Sequence, residues 1–350
     1  MGPALTGLGN RWRVNISCPK CFRMVSLENA NIIRGNHCWG YQPSFAYEPA
    51  AKILNTSPAG LPSREITLPG LAERLFWPIA KRWIAGREIK DAIQVAKQAN
   101  ARKIGSIINR LGEHTPDPKL IQEYTEEYLK LLEAMRQAGV SGCISVKPTQ
   151  LGLSADTALY KKNVSVVLEK ADSEKRFTWV DMESSAYTEP TLQVYKELVD
   201  SYGRMGVCLQ ANLKRTESDV KSLLAREGKI RLTKGAYSEN DQIAYKKKKV
   251  VNENYVSLMK MLFEQGTRFG IATHDERMVL QAEELSKDHK PEFEFQMLKG
   301  IRDDLKEKLA GQGYRVSDYI PYGPEWYNYS KRRLSERKRT VFLLIRSMTG

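Results

Sequence analysis

The sequence predicts an α/β fold: a distorted (βα)8 barrel with an N-terminal extension and an extra C-terminal helix over the barrel mouth. Three observations carry this reading. Eight short runs rich in β-branched and aromatic residues alternate with longer amphipathic stretches. The eight units fill some 250 residues, the number and length of a (βα)8 barrel. Nearly every run also ends in a polar or ionisable residue, as expected where strand ends line an active site.

The first 65 residues differ from the rest. Gly, Pro and Asn are scattered, periodicity is weak, and Cys18-Pro19-Lys20-Cys21 is followed by His37-Cys38. A Cys-x-x-Cys pair can hold two corners of a zinc tetrahedron. A second such pair is missing, however, and adjacent His37 and Cys38 are awkward as simultaneous ligands. Residues 1–65 therefore read as an irregular or metal-binding extension, and 66–350 as the barrel domain with its terminal helices.

The predicted strands are 103–108, 142–147, 176–182, 206–211, 229–233, 268–273, 292–297 and 315–320. Crossover helices fit between them, for example 190–202 with Leu192, Val194, Tyr195, Leu198 and Val199 apolar. The strand ends supply Lys147, Asp181, Gln210, Arg231 with Lys234, Thr273 with His274, Gln296 with Leu298, and Tyr319. Such a convergence of charges suits an anionic or polar ligand. No Gly-x-Gly-x-x-Gly follows a strand and no Walker sequence occurs, so any dinucleotide is held differently.

After the last strand, Pro324 opens a helical pattern in which Tyr329, Arg332, Arg333 and Glu336 fall at i, i+3, i+4 and i+7, on one face. Two adjacent guanidinium groups can clamp a carboxylate, and a nearby tyrosine can cover the apolar part of the same small ligand.

Hydrophobic residues at 41% and charged residues at 27% exclude wholesale disorder. No apolar run approaches the ~20 residues of a spanning helix, and no secretory signal is evident. Five cysteines in 350 residues do not form a disulfide framework, which points to a reducing, cytoplasmic setting. Lys plus Arg exceed Asp plus Glu by 55 to 41, a net charge of +14, which raises nucleic acid or an anionic membrane surface as partners.

These residues resemble the proline dehydrogenase family, both its single-activity form and the matching domain of bifunctional proline-utilisation proteins. The motifs run in family order from Leu111-Gly112-Glu113, Val146-Lys147, Val180-Asp181-Met182-Glu183 and Leu209-Gln210-Ala211 through Ile230-Arg231-Leu232-Thr233-Lys234-Gly235-Ala236-Tyr237. They continue through Ala272-Thr273-His274, Phe295-Gln296-Met297-Leu298-Lys299-Gly300 and Tyr319-Ile320-Pro321-Tyr322-Gly323 to Tyr329-x-x-Arg332-Arg333-x-x-Glu336. Coverage is roughly four fifths of the chain. The resemblance implies FAD, oxidation of L-proline to Δ1-pyrroline-5-carboxylate as the first step of proline catabolism, and a membrane quinone as electron acceptor.

By the same resemblance, Arg332 and Arg333 hold the proline carboxylate and Lys147 helps position the substrate. Asp181 and Arg231 are the active-site pair, with Arg231 near flavin N5, where hydride arrives. Met182, Gln210, Lys234, Gly235, Ala236, Thr273, His274, Gln296 and Glu336 belong to the flavin-binding set. Tyr237, Leu298, Tyr319 and Tyr329 wall the pyrrolidine ring, and Glu113 is an acidic gate that pairs with Arg332. The bulk of Tyr319 argues against 4-hydroxyproline as the preferred substrate. Two stretches depart from the family pattern: Asn109-Arg110 where Asp-Met is common, and Thr149-Gln150 after Lys147-Pro148 where Leu-Ser is common.

Two other readings compete. Another FAD-bearing barrel, similar to methylenetetrahydrofolate reductase, leaves the Tyr329 to Glu336 helix without a role. A nucleic-acid-binding protein would use the net charge and the cysteine knuckle, but the barrel motifs then have no purpose, and no nucleic acid is expected. The run Lys246 to Lys249 and the basic stretch 331–339, followed by Val341 to Ile345, would instead rest the enzyme on the inner face of an anionic membrane near its quinone.

Overall fold

A computed structural model describes residues 76–289, 291–327 and 329–331, all within the second of two units into which the chain divides, Thr67–Gly350. Eight parallel strands close into a barrel in sequence order: β1 (Gly105–Arg110), β2 (Gly142–Val146), β3 (Thr178–Val180), β4 (Met205–Gln210), β5 (Ile230–Thr233), β6 (Arg268–Ala272), β7 (Glu292–Leu298) and β8 (Val316–Tyr322), with β8 pairing back to β1. Helix α1 (Ile89–Ala101) precedes β1, and the crossover helices are α2 (Pro118–Gln137), α3 (Thr157–Ser173), α4 (Thr188–Leu198), α5 (Thr216–Leu224), α6 (Lys248–Gln265), α7 (Glu276–Asp288) and α8 (Asp303–Gly311). The (βα)8 expectation is met.

Strand periodicity sorts the side chains into two shells. Ile108, Ile144, Val146, Val180, Val207, Leu209, Ile230, Leu232, Ile271, Phe295 and Ile320 pack outward in one apolar core with the helices, among them Tyr128, Leu132, Val164, Val167, Tyr255 and Leu258. Residues of the other parity fill the interior. Toward the N-terminal end that interior is apolar, with Ile107, Phe177 and Trp179 clustered against Cys143. Toward the C-terminal end it is polar, with Ser145, Asp181, Arg231 and Gln296 all buried. Glycines make room for the larger members. A Cβ on Gly206 would fall 2.5 Å from the Trp179 ring, and one on Gly270 would fall 2.6 Å from Gln296 Nε2.

Aspartates cap three of the helices. Asp117 before Pro118 caps α2 through Lys119 N, Asp156 caps α3 through Leu159 N, and Asp275 caps α7 through Arg277 N. The largest boundary shifts, two residues each, fall at both ends of β1 and β3 and at the end of β8. β1 runs two residues past the expected end because Asn109 and Arg110 stay in the ladder with β8, opposite Pro321 and Tyr322. β3 begins late because Arg176 N turns back to Ala171 O, closing the end of α3.

Candidate active site

The polar end of the barrel opens into a cavity of about 1000 Å³. Its lining includes Glu113, Lys147, Asp181, Met182, Gln210, Arg231, Lys234, Gly235, Ala236, Tyr237, Thr273, His274, Gln296, Leu298, Tyr319 and Tyr329. Every site residue expected from the sequence that falls among the described residues therefore lines one cavity. Arg332, Arg333 and Glu336, and the candidate zinc ligands Cys18, Cys21, His37 and Cys38, lie outside the described residues.

Asp181, at the end of β3, is the hub. Its Oδ1 accepts from Arg231 Nη1 at 2.7 Å and from Ser145 Oγ at 2.6 Å, and its Oδ2 accepts from Tyr319 Oη at 2.6 Å. Lys147 Nζ stands 3.4 Å from Asp181 Oδ2 and 3.2 Å from Glu113 Oε1. Tyr237 Oη donates to Glu113 at 3.5 Å. Five strands and loops thus converge on one connected set of charges, the kind of arrangement a barrel's C-terminal face is built to make.

The electrostatics follow from the burial. Burial pushes the Asp181 carboxyl up, but Lys147 and Arg231, with hydrogen bonds from Ser145 and Tyr319, hold it below its ordinary value. Burial likewise opposes the charge on Lys147, yet Tyr237, Glu113, Asp181 and Tyr319 together raise its pKa well above the usual ammonium value. Burial and the adjoining Asp181 charge push the Tyr319 phenol well up, so it remains a donor. The site holds a permanent carboxylate beneath permanent cations.

Arg231, on β5, is clamped on several sides. Nε donates to Gln296 Oε1 at 2.5 Å, Nη1 to Ser145 Oγ at 3.0 Å, and the guanidinium lies 4.8 Å from the Trp179 ring centroid and 5.6 Å from that of Tyr319. Gln296 is fixed in turn by donating to Glu294 at 2.5 Å. Arg231 Nη2 is buried without a partner, although the residue lines the cavity. A buried guanidinium N–H left unmatched is costly unless something in the cavity accepts from it.

The remaining lining residues form the flank between β4 and β7. Lys234 Nζ donates to Asp275 Oδ2 at 2.6 Å and Asn252 Oδ1 at 2.7 Å, and Lys234 together with Arg277 holds the Asp275 carboxyl down at about 2 against partial burial. Gly235 has φ of +102°, and a Cβ there would fall 2.0 Å from Asn212 Oδ1, so the turn that brings this backbone to the cavity requires glycine. Gln210 Nε2 donates to Glu183 O at 2.9 Å. Leu298 N donates to His274 Nε2 at 2.8 Å, which makes that nitrogen the unprotonated one. The cavity also shares Lys248 and Arg277 with a neighbouring recess of about 590 Å³.

Sequence reasoning missed three features. Ser145 is fully buried beside the hub; it shares the inward face with Lys147 two residues on, but a strand serine carries no chemical signal of its own in the sequence. Glu183, also fully buried, accepts from Thr149 N at 2.8 Å and Thr149 Oγ1 at 2.6 Å, which gives a role to the unusual Thr149. Arg110, in the other departing stretch, is a buried cation paired with Glu127 at 2.7 Å and with Glu325, so it ties the end of β1 to the segment leading to Tyr329.

The closed barrel and its charge-lined mouth define a (βα)8-barrel enzyme acting on a small polar ligand. The proline dehydrogenase family model matches residues 92–341. Proline dehydrogenase 2 of Bacillus subtilis (strain 168) is 33% identical over 273 residues, covering 77% of this chain and 90% of its own. Proline dehydrogenase of Deinococcus radiodurans is 35% identical over 286 residues, covering 79% and 92%. Among solved structures, proline utilization A from Bdellovibrio bacteriovorus, inactivated by N-propargylglycine, aligns with a TM-score of 0.71 at 25% identity. That alignment covers 77% of this chain and only 33% of the larger one. The chain belongs to the proline dehydrogenase family, whose members oxidise proline.

Proposed function

We propose that this chain is an FAD-dependent enzyme that oxidises L-proline to Δ1-pyrroline-5-carboxylate in the cavity around Asp181 and passes the electrons to a membrane quinone. The observation that carries the reading is Arg231: a buried, fully clamped guanidinium with one N–H group left without a protein partner. Such a group is satisfied by a bound acceptor, and the heteroatom-rich edge of an isoalloxazine supplies one. When bound, the flavin provides the two-electron acceptor that no amino-acid side chain offers.

The other residues fit the same group. Lys234, Gly235 and Ala236 would hold it from β5, Met182 and Gln210 from β3 and β4, and Thr273, His274 and Gln296 from β6 and β7, with Glu336 assisting. Lys248 and Arg277, shared with the neighbouring recess, would face its phosphates.

For the substrate, the chain's own groups bind and orient. Lys147 stays protonated, so it serves as a fixed charge for the proline carboxylate and not as a base for the amine. Arg332 and Arg333 would complete that clamp. Leu298, Tyr319, Tyr237 and Tyr329 would enclose the ring and exclude water, and Glu113 would close the mouth. Holding the reacting carbon in one pose is the main contribution asked of these residues.

Lys246 to Lys249 are all exposed, which supports peripheral contact with anionic lipid beside the quinone pool. Among the described residues no helix is long and apolar enough to cross a membrane.

The test is chemical. Cofactor released by denaturing the purified protein is expected to run as FAD, and anaerobic L-proline is expected to yield one equivalent of a cyclic imine per flavin, trapped with an aromatic amino aldehyde. Protein that takes up no flavin on reconstitution, or that yields no imine once loaded, would overturn the reading.

A further inference from the structure

Among the described residues, Ser145 is the uncharged one that is hydrogen-bonded to both Asp181 and Arg231. It lies on β2, two residues before Lys147 on the same inward face, and its side chain is fully buried. Its hydroxyl donates to Asp181 Oδ1 at 2.6 Å and accepts from Arg231 Nη1 at 3.0 Å. A hydroxyl can do both at once, whereas neither charged partner could replace it.

The pairings around this triangle leave little slack. Asp181 Oδ1 is taken by Ser145 and Arg231, which leaves Oδ2 for Tyr319 and Lys147. On Arg231, Nε is taken by Gln296 and Nη1 by Asp181 and Ser145, which leaves Nη2 buried without a partner. Without Ser145 Oγ, Arg231 Nη1 keeps a single acceptor, and one hydrogen bond alone is left to set the angle between the guanidinium and the carboxylate. We propose that Ser145 is a positioning residue: it locks Asp181 and Arg231 in the one relative orientation that keeps Asp181 Oδ2 on Tyr319 and Lys147 and leaves Arg231 Nη2 without a protein partner. This rests on the cavity being the proline-oxidising site.

The groups facing Asp181 from the elements around it are Lys147 on β2, Cys208 on β4, Arg231 on β5, Tyr319 on β8 and Tyr128 on α2. Of the two donors to Asp181 Oδ1, Ser145 is the neutral one, so its removal changes Asp181 without removing a charge. Losing that donor should raise the pH at which Asp181 protonates.

The experiment compares wild type with Ser145→Ala and Ser145→Thr as FAD-loaded protein. Melting curves check the fold at each pH, and kcat and KM for L-proline are measured from pH 3 to 9 together with the midpoint potential of the bound flavin. For S145A the expected result is a fall in kcat of about ten- to hundredfold, with KM changed less than about twofold and an acidic limb displaced upward by about one pH unit. The flavin potential should also move, because the charge beside it is no longer fixed. S145T, which keeps the hydroxyl, should restore the limb and the potential. Should S145A fail to fold, Ser145→Cys keeps the volume with a much weaker donor and carries the same expectation. A folded S145A or S145C with the wild-type pH profile and potential would overturn the proposal. A wild-type protein that does not reduce its flavin with L-proline would instead overturn the assignment of the cavity, so the two failures are distinguishable.

Discussion

Tyr319 Oη donates to Asp181 Oδ2 at 2.6 Å, so a neutral phenol and two cations, Lys147 and Arg231, share one buried carboxylate. The phenol cannot yield its proton, because burial and the Asp181 charge keep it protonated. It is therefore a fixed donor that also forms part of the cavity wall. Tyr319→Phe should leave the fold intact and lower kcat/KM by roughly tenfold, since the carboxylate keeps its cations and loses one hydrogen bond. Steady-state kinetics on the folded variant would check this.

Asp181→Asn is a heavier change. Arg231 and Lys147 both lose the charge that compensates them in a buried site, and repulsion between the two cations goes unopposed. The expected outcome is a loss of roughly 10²- to 10³-fold in kcat/KM together with a lower melting temperature, read by kinetics and calorimetry on the same preparation.

The pH dependence of stability can be read at Asp275, whose carboxyl is held at about 2 chiefly by Lys234 and Arg277 against burial. A depressed carboxyl contributes stability that is fully present above its ordinary value of 3.8 and lost as pH falls through about 2. Asp275→Asn retains an N-cap acceptor for α7, so the charge is the main thing removed. The melting temperature of the variant should fall below wild type at pH 7, and the gap should shrink steadily between pH 4 and 2. Melting curves across that range decide it.

Away from the cavity, Lys306 on α8 is fully buried and donates to Asp318 on β8 at 2.5 Å and to Leu298 O at 3.2 Å. It pins α8 to the two strands that carry Leu298 and Tyr319. Lys306→Met leaves Asp318 buried with only a distant Arg102 at 3.8 Å. A destabilisation of about 3–5 kcal/mol is expected from uncovering one member of a buried pair, and denaturant titration would measure it.

Much of this molecule was legible before any coordinates, for physical reasons that differ by residue. The eight strands were visible because a parallel barrel strand is buried on both faces and reads as a short apolar run, as in Val207 to Leu209 or Phe269 to Ile271. The site was visible because ionisable groups such as Lys147, Asp181 and Arg231 interrupt those runs at their C-terminal ends. Ser145 was not visible, since a serine within a strand has no chemical signature until a carboxylate and a guanidinium arrive from β3 and β5. The reach of β1 to Arg110 was hidden for a related reason. An arginine looks like a strand end in sequence, and only Glu127 and Glu325, distant along the chain, show that it is buried and paired.

The central claim is that proline is oxidised at the Asp181 and Arg231 cavity, and an anaerobic titration of the FAD-loaded protein with L-proline, followed by absorbance, tests it most directly. The expected result is full bleaching of the flavin band in wild type and bleaching slowed at least a hundredfold in Asp181→Asn. A folded, flavin-loaded wild type that stays oxidised under excess L-proline, or an Asp181→Asn variant that bleaches at the wild-type rate, would contradict it.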